Sequence, residues 1–110
     1  MAGGIARGDI RFYQFAQPDK KRPVLIITRD SSIHVLANVT VVPITSTIRG
    51  IASEVLLSEE DGMKNPCAVN LHNAFTVPQS RLGRRITQLN PSRMHEICVA
   101  LRYCFGCDFS

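Results

Sequence analysis

Three cations run directly into an apolar stretch, because Lys20, Lys21 and Arg22 precede residues 23–27. That apolar stretch predicts a buried strand, so the cations stand at its mouth, next to water. The Arg22 guanidinium is always charged and presents a planar fork that matches two phosphate oxygens. Pro23 biases Arg22 toward an extended backbone, which gives the side chain a defined origin. The pattern fits an anion-binding site, and it fits equally a solvated arginine at the start of a strand.

Three hydroxyl side chains, Thr45, Ser46 and Thr47, follow a later β-branched run. Pro43 cannot donate a hydrogen bond to a neighbouring strand, so we expect this strand to end at a sheet edge or a bulge. Bulges often turn side chains toward a site. Hydroxyls at that place can hydrogen-bond phosphate oxygens or a reacting oxygen, although a hydrophilic turn explains the same run.

A basic cluster surrounds a flexible glycine in residues 81–85, which contain Arg81, Arg84 and Arg85. Such a cluster suits phosphate contacts whose strength falls with salt. A solvated charged turn is equally consistent with it.

Two aromatic residues and one histidine are further candidates for contacts with nucleic acid. Phe75 and Tyr13 can stack on an unpaired base, although most aromatic residues on strands belong to the core. His72 and its neighbour Asn73 follow a predicted strand end, where an imidazole and an amide can read a base edge or move a proton. The alternative for His72 is a surface or packing residue.

Metal binding and several common enzyme chemistries have no support in the sequence. His95, Cys98, Cys104 and Cys107 are metal-ligand types, but on one helix His95 and Cys107 stand about 18 Å apart. The Cys104 to Cys107 spacing ends a helix and does not open one after a strand, as a redox motif would. GxSxG and GK[ST] motifs are absent. We therefore expect no cofactor and no metal, and we interpret the cysteines as reduced thiols.

The composition is that of a single small globular domain spanning residues 1–110, with 45% apolar and 20% charged residues. The net charge of +4 favours polyanionic partners without proving one. The residues at the N-terminus have no apolar stretch of signal-peptide length, so we expect a cytoplasmic protein.

Short strands and one terminal helix account for the chain. The predicted strands are 9–15, 22–28, 39–44, 53–57, 68–77 and 85–89. We expect turns at 17–21 and 30–32 and a helical turn at 78–80. Because the connections are too short for crossover helices, the pattern predicts a strongly curved antiparallel sheet or partly open barrel of SH3-like architecture.

The C-terminal helix has the clearest local signals. Asn90 is a good N-cap, Pro91 suits the first helical position, and Gly106 can end the helix. Arg93, Glu96 and Arg102 are predicted to face water. The residues at helical spacing that should pack on the sheet are Met94, Ile97, Cys98, Leu101 and Phe105.

The order of several short motifs resembles the MazF/PemK family, the toxins of type II toxin-antitoxin pairs. The motifs lie at 7–10 (RGDI), 21–26 (KRPVLI), 42–46 (VPITS), 68–71 (AVNL), 76–77 (TV) and 81–82 (RL), and the terminal helix extends the resemblance over nearly the whole chain. The resemblance implies a dimeric SH3-like barrel that cuts single-stranded RNA at short sequences without a metal. It also implies a cognate antitoxin whose acidic tail lies across the active groove and silences the toxin.

The resemblance also implies site residues. The catalytic arginine of the family falls on Arg22 and the catalytic threonine on Thr45, with Ser46 as a neighbouring candidate. The cations Lys20, Lys21, Arg81, Arg84 and Arg85, together with His72, Asn73 and Phe75, are the predicted RNA-binding residues.

Two other classes of function stay open at this level. One is a non-catalytic toxin that binds a protein target, as the structurally similar CcdB toxins do. The other is an RNA-binding module that has lost cleavage.

Overall fold

The computed structural model describes residues 4–15 and 21–107. Lys20 and most of the predicted turn at 17–21 lie outside the described residues. The two strands that flank this turn pair antiparallel, with Phe12 opposite Pro23 and Tyr13 opposite Arg22.

Seven strands and a C-terminal helix make up most of the described chain, in agreement with the predicted mainly β class. The strands are β1 Asp9–Gln14, β2 Lys21–Ile26, β3 Asn38–Thr45, β4 Glu54–Leu57, β5 Cys67–Asn70, β6 Phe75–Pro78 and β7 Leu82–Gln88. The helices are the one-turn α1 Asp30–Ile33 and the long α2 Pro91–Phe105. All strand pairs are antiparallel, and their order is β4-β5-β3-β2-β1-β7, with β6 on β3. The sheet is curved but not closed, since β4 and β7 end its path without pairing with each other.

Strand β3 is the centre of the sheet and has different partners along its length. One side pairs with β2, and the other side pairs first with β6 and then with β5. Pro43 lies between the β6-paired and β5-paired parts and is opposite Val24 of β2. On that side of β3, Pro43 has no ladder partner, because the β6 pairing ends at Val41 and the β5 pairing begins at Ile44. Its missing N–H is tolerated because the partner changes beside it.

The two faces of β2 serve two cores, as its unbroken apolar run predicted. Leu25 joins the cluster that packs against α2, while Val24 and Ile26 join a second cluster with Val39 and Val41 of β3. All three of these β2 side chains are fully buried.

The predicted fifth strand, 68–77, is two strands separated by a 3-10 turn at Leu71–Asn73. The Asn70 side chain accepts a hydrogen bond from the His72 N–H and so starts the turn. Leu71 is fully buried and holds the turn against the core. A local polar cap thus interrupts a run whose pattern suggested one strand.

Strand β7 begins three residues earlier than predicted, so Gly83, Arg84 and Arg85 lie on a strand and not in a flexible turn. Pairing with β1, which puts Tyr13 opposite Leu82, overrides the turn propensity of Gly83. The predicted turn at 30–32 is helix α1, and the predicted helical turn after Pro78 is a 3-10 turn at Gln79–Arg81.

Helix α2 begins and ends where its caps predicted. The Asn90 side chain accepts a hydrogen bond from the Arg93 N–H at 2.9 Å, and Gly106 ends the helix with a φ of 67°. Ile97 is fully buried, whereas Phe105 is 62% exposed, so its place in the packed stripe was wrong. Arg93 does not simply face water, because it is hydrogen-bonded to Asp61 and Glu96. No helix of the described residues is long and apolar enough to cross a membrane.

Candidate active site

Arg22 and Thr45 lie at the adjoining ends of two neighbouring antiparallel strands. Val24 is opposite Pro43 in the β2–β3 register, and continuing that register by two residues brings Arg22 opposite Thr45. Because side chains on a strand alternate with a period of two, residues at these positions share one face. The register therefore brings together two side chains that are 23 positions apart in the sequence.

Both residues line a cleft of about 510 Å³. One wall is made by the ends of β2 and β3, one by β1 and β7, and one by the loop that leads into β5. The lining residues are Phe12, Arg22, Pro23, Ile44, Thr45, Ser46, Gly62, Met63, Lys64, Asn65, Pro66, Cys67, Arg84 and Ile86. The three predicted catalytic residues, Arg22, Thr45 and Ser46, are thus brought to one cleft.

Arg22 is exposed, and its guanidinium has no ion-pair partner among the described residues. Thr45 is half-buried, and its hydroxyl oxygen accepts a hydrogen bond from the Thr47 N–H at 3.1 Å. A hydroxyl has one donor and two acceptor positions, so the O–H of Thr45 is still available to a ligand.

Arg84 is the one predicted RNA-binding residue from the basic cluster that lines this cleft. Its guanidinium lies over the Phe12 ring, 5.0 Å from the centroid. The β1–β7 pairing has register shifts on both sides of Arg11, as at a β-bulge. Arg84 thereby places a second permanent positive charge in the cleft beside Arg22.

The predicted stacking residues Tyr13 and Phe75 form an aromatic group with Phe15. The Tyr13 ring is 5.0 Å from Phe15 and 5.9 Å from Phe75, both edge to face. The Arg81 guanidinium lies 5.7 Å from the Tyr13 centroid. Since Tyr13 is paired with Arg22, this half-buried group begins directly beside the candidate catalytic arginine.

The other predicted RNA-binding residues lie apart from the cleft lining. Lys21 is exposed at the start of β2, next to Arg22. Arg85 makes an ion pair of 3.8 Å with the buried Asp9. His72 and Asn73 are exposed on the 3-10 turn between β5 and β6.

The sequence reading missed Lys64 and Asn65, which line the same cleft as Arg22 and Thr45. The available signal is a pair of adjacent polar side chains directly before Pro66, in the segment between two predicted strands.

The described residues give little support to thiol or metal chemistry. Burial raises the pKa of the Cys67 thiol, and the charge of Asp61 raises it further, so this cleft cysteine is protonated at neutral pH. Burial also raises the pKa of Cys104. Within residues 4–15 and 21–107, no group of three or more His, Cys, Asp or Glu side chains is placed to hold a metal ion.

A family model described as "PemK-like, MazF-like toxin of type II toxin-antitoxin system" matches residues 6–105. Among curated proteins, the chain is 42% identical over 104 residues to the "Probable endoribonuclease MazF2" of Mycobacterium tuberculosis, covering 94% of this chain and 100% of the relative. It is 41% identical over 100 residues to the "Endoribonuclease MazF3" of the same species, covering 91% and 97%.

Solved structures agree with this match. The "Mycobacterium tuberculosis toxin MazF-mt6" superposes with a TM-score of 0.83 at 39% identity and covers 92% of this chain and 99% of its own. An "Endoribonuclease in complex with its cognate antitoxin from Mycobacterial species" has a TM-score of 0.87 at 24% identity and covers 97% and 100%, which shows the same fold.

Proposed function

The chain belongs to the PemK-like, MazF-like toxin family of type II toxin-antitoxin systems, and from this premise we propose that it is an endoribonuclease that cuts single-stranded RNA at short sequences. The observation that carries the proposal is that Arg22 and Thr45, at the adjoining ends of the paired strands β2 and β3, line one basic cleft.

The 2′-OH of the substrate is the nucleophile in the proposed reaction. Its oxygen loses its proton to solvent water and attacks the adjacent phosphorus. The bond from phosphorus to the 5′ oxygen breaks, and the 5′ oxygen takes up a proton from water. The products are a 2′,3′-cyclic phosphate and a 5′-OH end. Because the nucleophile belongs to the RNA, DNA binds at most and is not cut.

Arg22 meets the negative charge that accumulates on the phosphorane oxygens. A fixed donor aimed at developing charge is among the strongest catalytic devices available to a protein. The frame is rigid, since Pro23 and the fully buried Val24 follow Arg22 directly. Arg22 also donates a hydrogen bond to the leaving 5′ oxygen.

Thr45 holds a phosphate oxygen and keeps the phosphate aligned for in-line attack. Its O–H donates to the phosphate while its oxygen keeps the bond from the Thr47 N–H. Ser46, the next residue, lines the same cleft and offers a second hydroxyl to the phosphate.

Arg84 and Lys21 attract the RNA backbone, and the aromatic group beside Arg22 stacks on an unpaired base. The family supplies the partners. We propose a cognate antitoxin whose acidic tail competes for the basic cleft, and a homodimer as the active form. The site of action is the cytoplasm, where its RNA substrate is found.

The test is incubation of the purified protein with a set of single-stranded RNAs in the presence of EDTA. We expect cleavage with cyclic phosphate ends, and no cleavage of an RNA with a single 2′-deoxy nucleotide at the cut position. Arg22→Ala should abolish product and retain most RNA binding.

Two results decide against the proposal. RNA binding without any Arg22-dependent product indicates an RNA-binding module, and toxicity that survives Arg22→Ala indicates a toxin that binds a protein target.

A further inference from the structure

We infer that Lys64 and Asn65 form a substrate-reading wall, in which Lys64 binds a phosphate beside the scissile one and Asn65 reads the edge of the adjoining base. This inference rests on the proposed cleavage of RNA in the same cleft. Lys64 and Asn65 line the same cleft as Arg22 and Thr45.

The loop that carries the wall is fixed at its start by a capping box. The Ser58 side chain accepts the Glu60 N–H, while the Asp61 carboxylate accepts the Ser58 N–H at 3.0 Å. The Arg93 Nε of α2 donates to the other oxygen of Asp61 at 2.9 Å. Burial alone would lower the pKa of Arg93, but its hydrogen bonds to Glu96 and Asp61 outweigh this and raise it, so the guanidinium is permanently charged.

The next residues are clamped against β7. The Thr87 hydroxyl donates to the Asp61 carbonyl oxygen at 3.0 Å. Gly62 adopts a φ of 94°, and an added Cβ would lie 2.3 Å from the Thr87 Oγ1. Met63 is buried in the core next to α2, so the chain enters Lys64 from a rigid anchor.

The wall itself is polar and available. Lys64 and Asn65 are exposed, and neither side chain has a hydrogen bond or ion pair to the residues that the structure describes. Pro66 biases Asn65 toward an extended backbone. A rigid frame that presents two unpartnered polar side chains to a cleft is the arrangement expected of a recognition site.

The two side chains suit the two parts of a nucleotide. A lysine ammonium is a compact charge that binds phosphate without demanding one geometry. An asparagine amide has a donor and an acceptor side by side, which matches the paired groups on a base edge. Bases of single-stranded RNA expose those edges, so an amide at this place can discriminate between them.

The phosphate role is tested by RNA binding in the Arg22→Ala background, with an oligonucleotide that the parent protein cuts and with varied salt. Lys64→Gln should weaken binding and lower the slope of log K against log salt by about 0.7, the value for one phosphate contact on a single strand. Arg29→Gln is the matched control, because it removes one charge from the residue directly before α1, outside the cleft lining. If the slope of log K against log salt is the same for Arg22→Ala with and without Lys64→Gln, this role is overturned.

The base-reading role is tested by cutting a pool of RNA oligonucleotides with randomised positions and sequencing the fragment ends. Asn65→Ala should reduce base discrimination next to the cut by roughly 5-fold or more. Asn65→Asp, which keeps the shape and loses the donor, should change which base is preferred. Asn38→Ala, at the far end of β3 from Thr45, should leave the preference unchanged.

The outcomes separate the two levels of the proposal. If the parent protein cuts RNA and both Asn65 variants keep its base preference, the base-reading role alone is overturned. If the parent protein cuts no RNA, the proposed function fails, and this inference fails with it.

Discussion

The hydroxyl oxygen of Thr45 accepts a hydrogen bond from the Thr47 N–H at 3.1 Å, and this bond fixes the direction in which Thr45 can donate. The oxygen is held by the backbone two residues on, so the O–H turns away from that N–H. At the end of β3 and opposite Arg22, the O–H is free to meet a phosphate oxygen.

Thr45→Val keeps the shape of the side chain and removes both the donor and the acceptor. We expect cleavage to slow by roughly 100-fold, the loss seen when one transition-state donor is removed. Thr45→Ser retains the hydroxyl and should retain most activity. The measurement is single-turnover cleavage of one RNA by the parent protein, Thr45→Val and Thr45→Ser. Equal rates for the two variants would show that the hydroxyl takes no part in cleavage.

Arg22→Lys keeps the charge but loses the planar fork. We expect RNA binding within about 3-fold of the parent and cleavage slower by roughly 100-fold or more, because an ammonium cannot place two parallel donors on the phosphate. Binding by fluorescence anisotropy and cleavage by gel assay separate the two effects. Full activity in Arg22→Lys would show that charge alone is sufficient.

Gly62→Ala should destabilise the protein more than Gly50→Ala. Both glycines have positive φ, 94° and 70°, so each substitution costs about 1–2 kcal/mol in backbone strain. The Cβ at position 62 would also collide with the Thr87 side chain, whereas the Cβ at position 50 meets nothing within 4 Å. We expect a difference of at least about 1 kcal/mol in the free energy of unfolding, measured with urea. Equal losses would mean that the loop shifts away from β7 freely.

The free energy of unfolding should fall at alkaline pH in a way that depends on Cys67. Burial raises the pKa of this thiol above its ordinary value of 9.0, so the unfolded chain loses the proton before the folded protein does. The contribution is constant below pH 9.0 and is lost as pH rises from there through the folded-state pKa.

Cys67→Ala should make the curve of unfolding free energy against pH flatter in that range, whatever the constant offset from lost packing. Cys104 titrates in the same direction, so part of the slope persists in the variant. Chemical denaturation from neutral to alkaline pH is the measurement. Parallel curves for the parent and the variant would contradict the prediction.

Part of the candidate site can be predicted from single segments of the sequence. The cation at Arg22 before a proline and a buried strand is a local pattern, and the structure places it at a strand mouth as expected. The other residues of the cleft cannot be predicted in this way. Lys64 and Asn65 come from a loop whose position depends on contacts with β7 and α2, and nothing within a few residues of them reports those contacts.

What the sequence by itself determined was the mainly β class, the buried faces of β2 and the two ends of α2. Asn90 and Gly106 satisfy backbone groups within three or four residues of themselves, so the local sequence is enough to predict where the helix begins and ends. The apolar run of β2 likewise demands burial wherever the strand lies.

Only the tertiary structure decided the strand register and the membership of the cleft. A shift of one residue between β2 and β3 would leave the Thr45 and Arg22 side chains on different faces of the sheet. No local pattern excludes that shift. The register results from the packing of two cores on both faces of β2 and β3, which joins residues that are distant in the chain. That packing is what places Arg22 opposite Thr45.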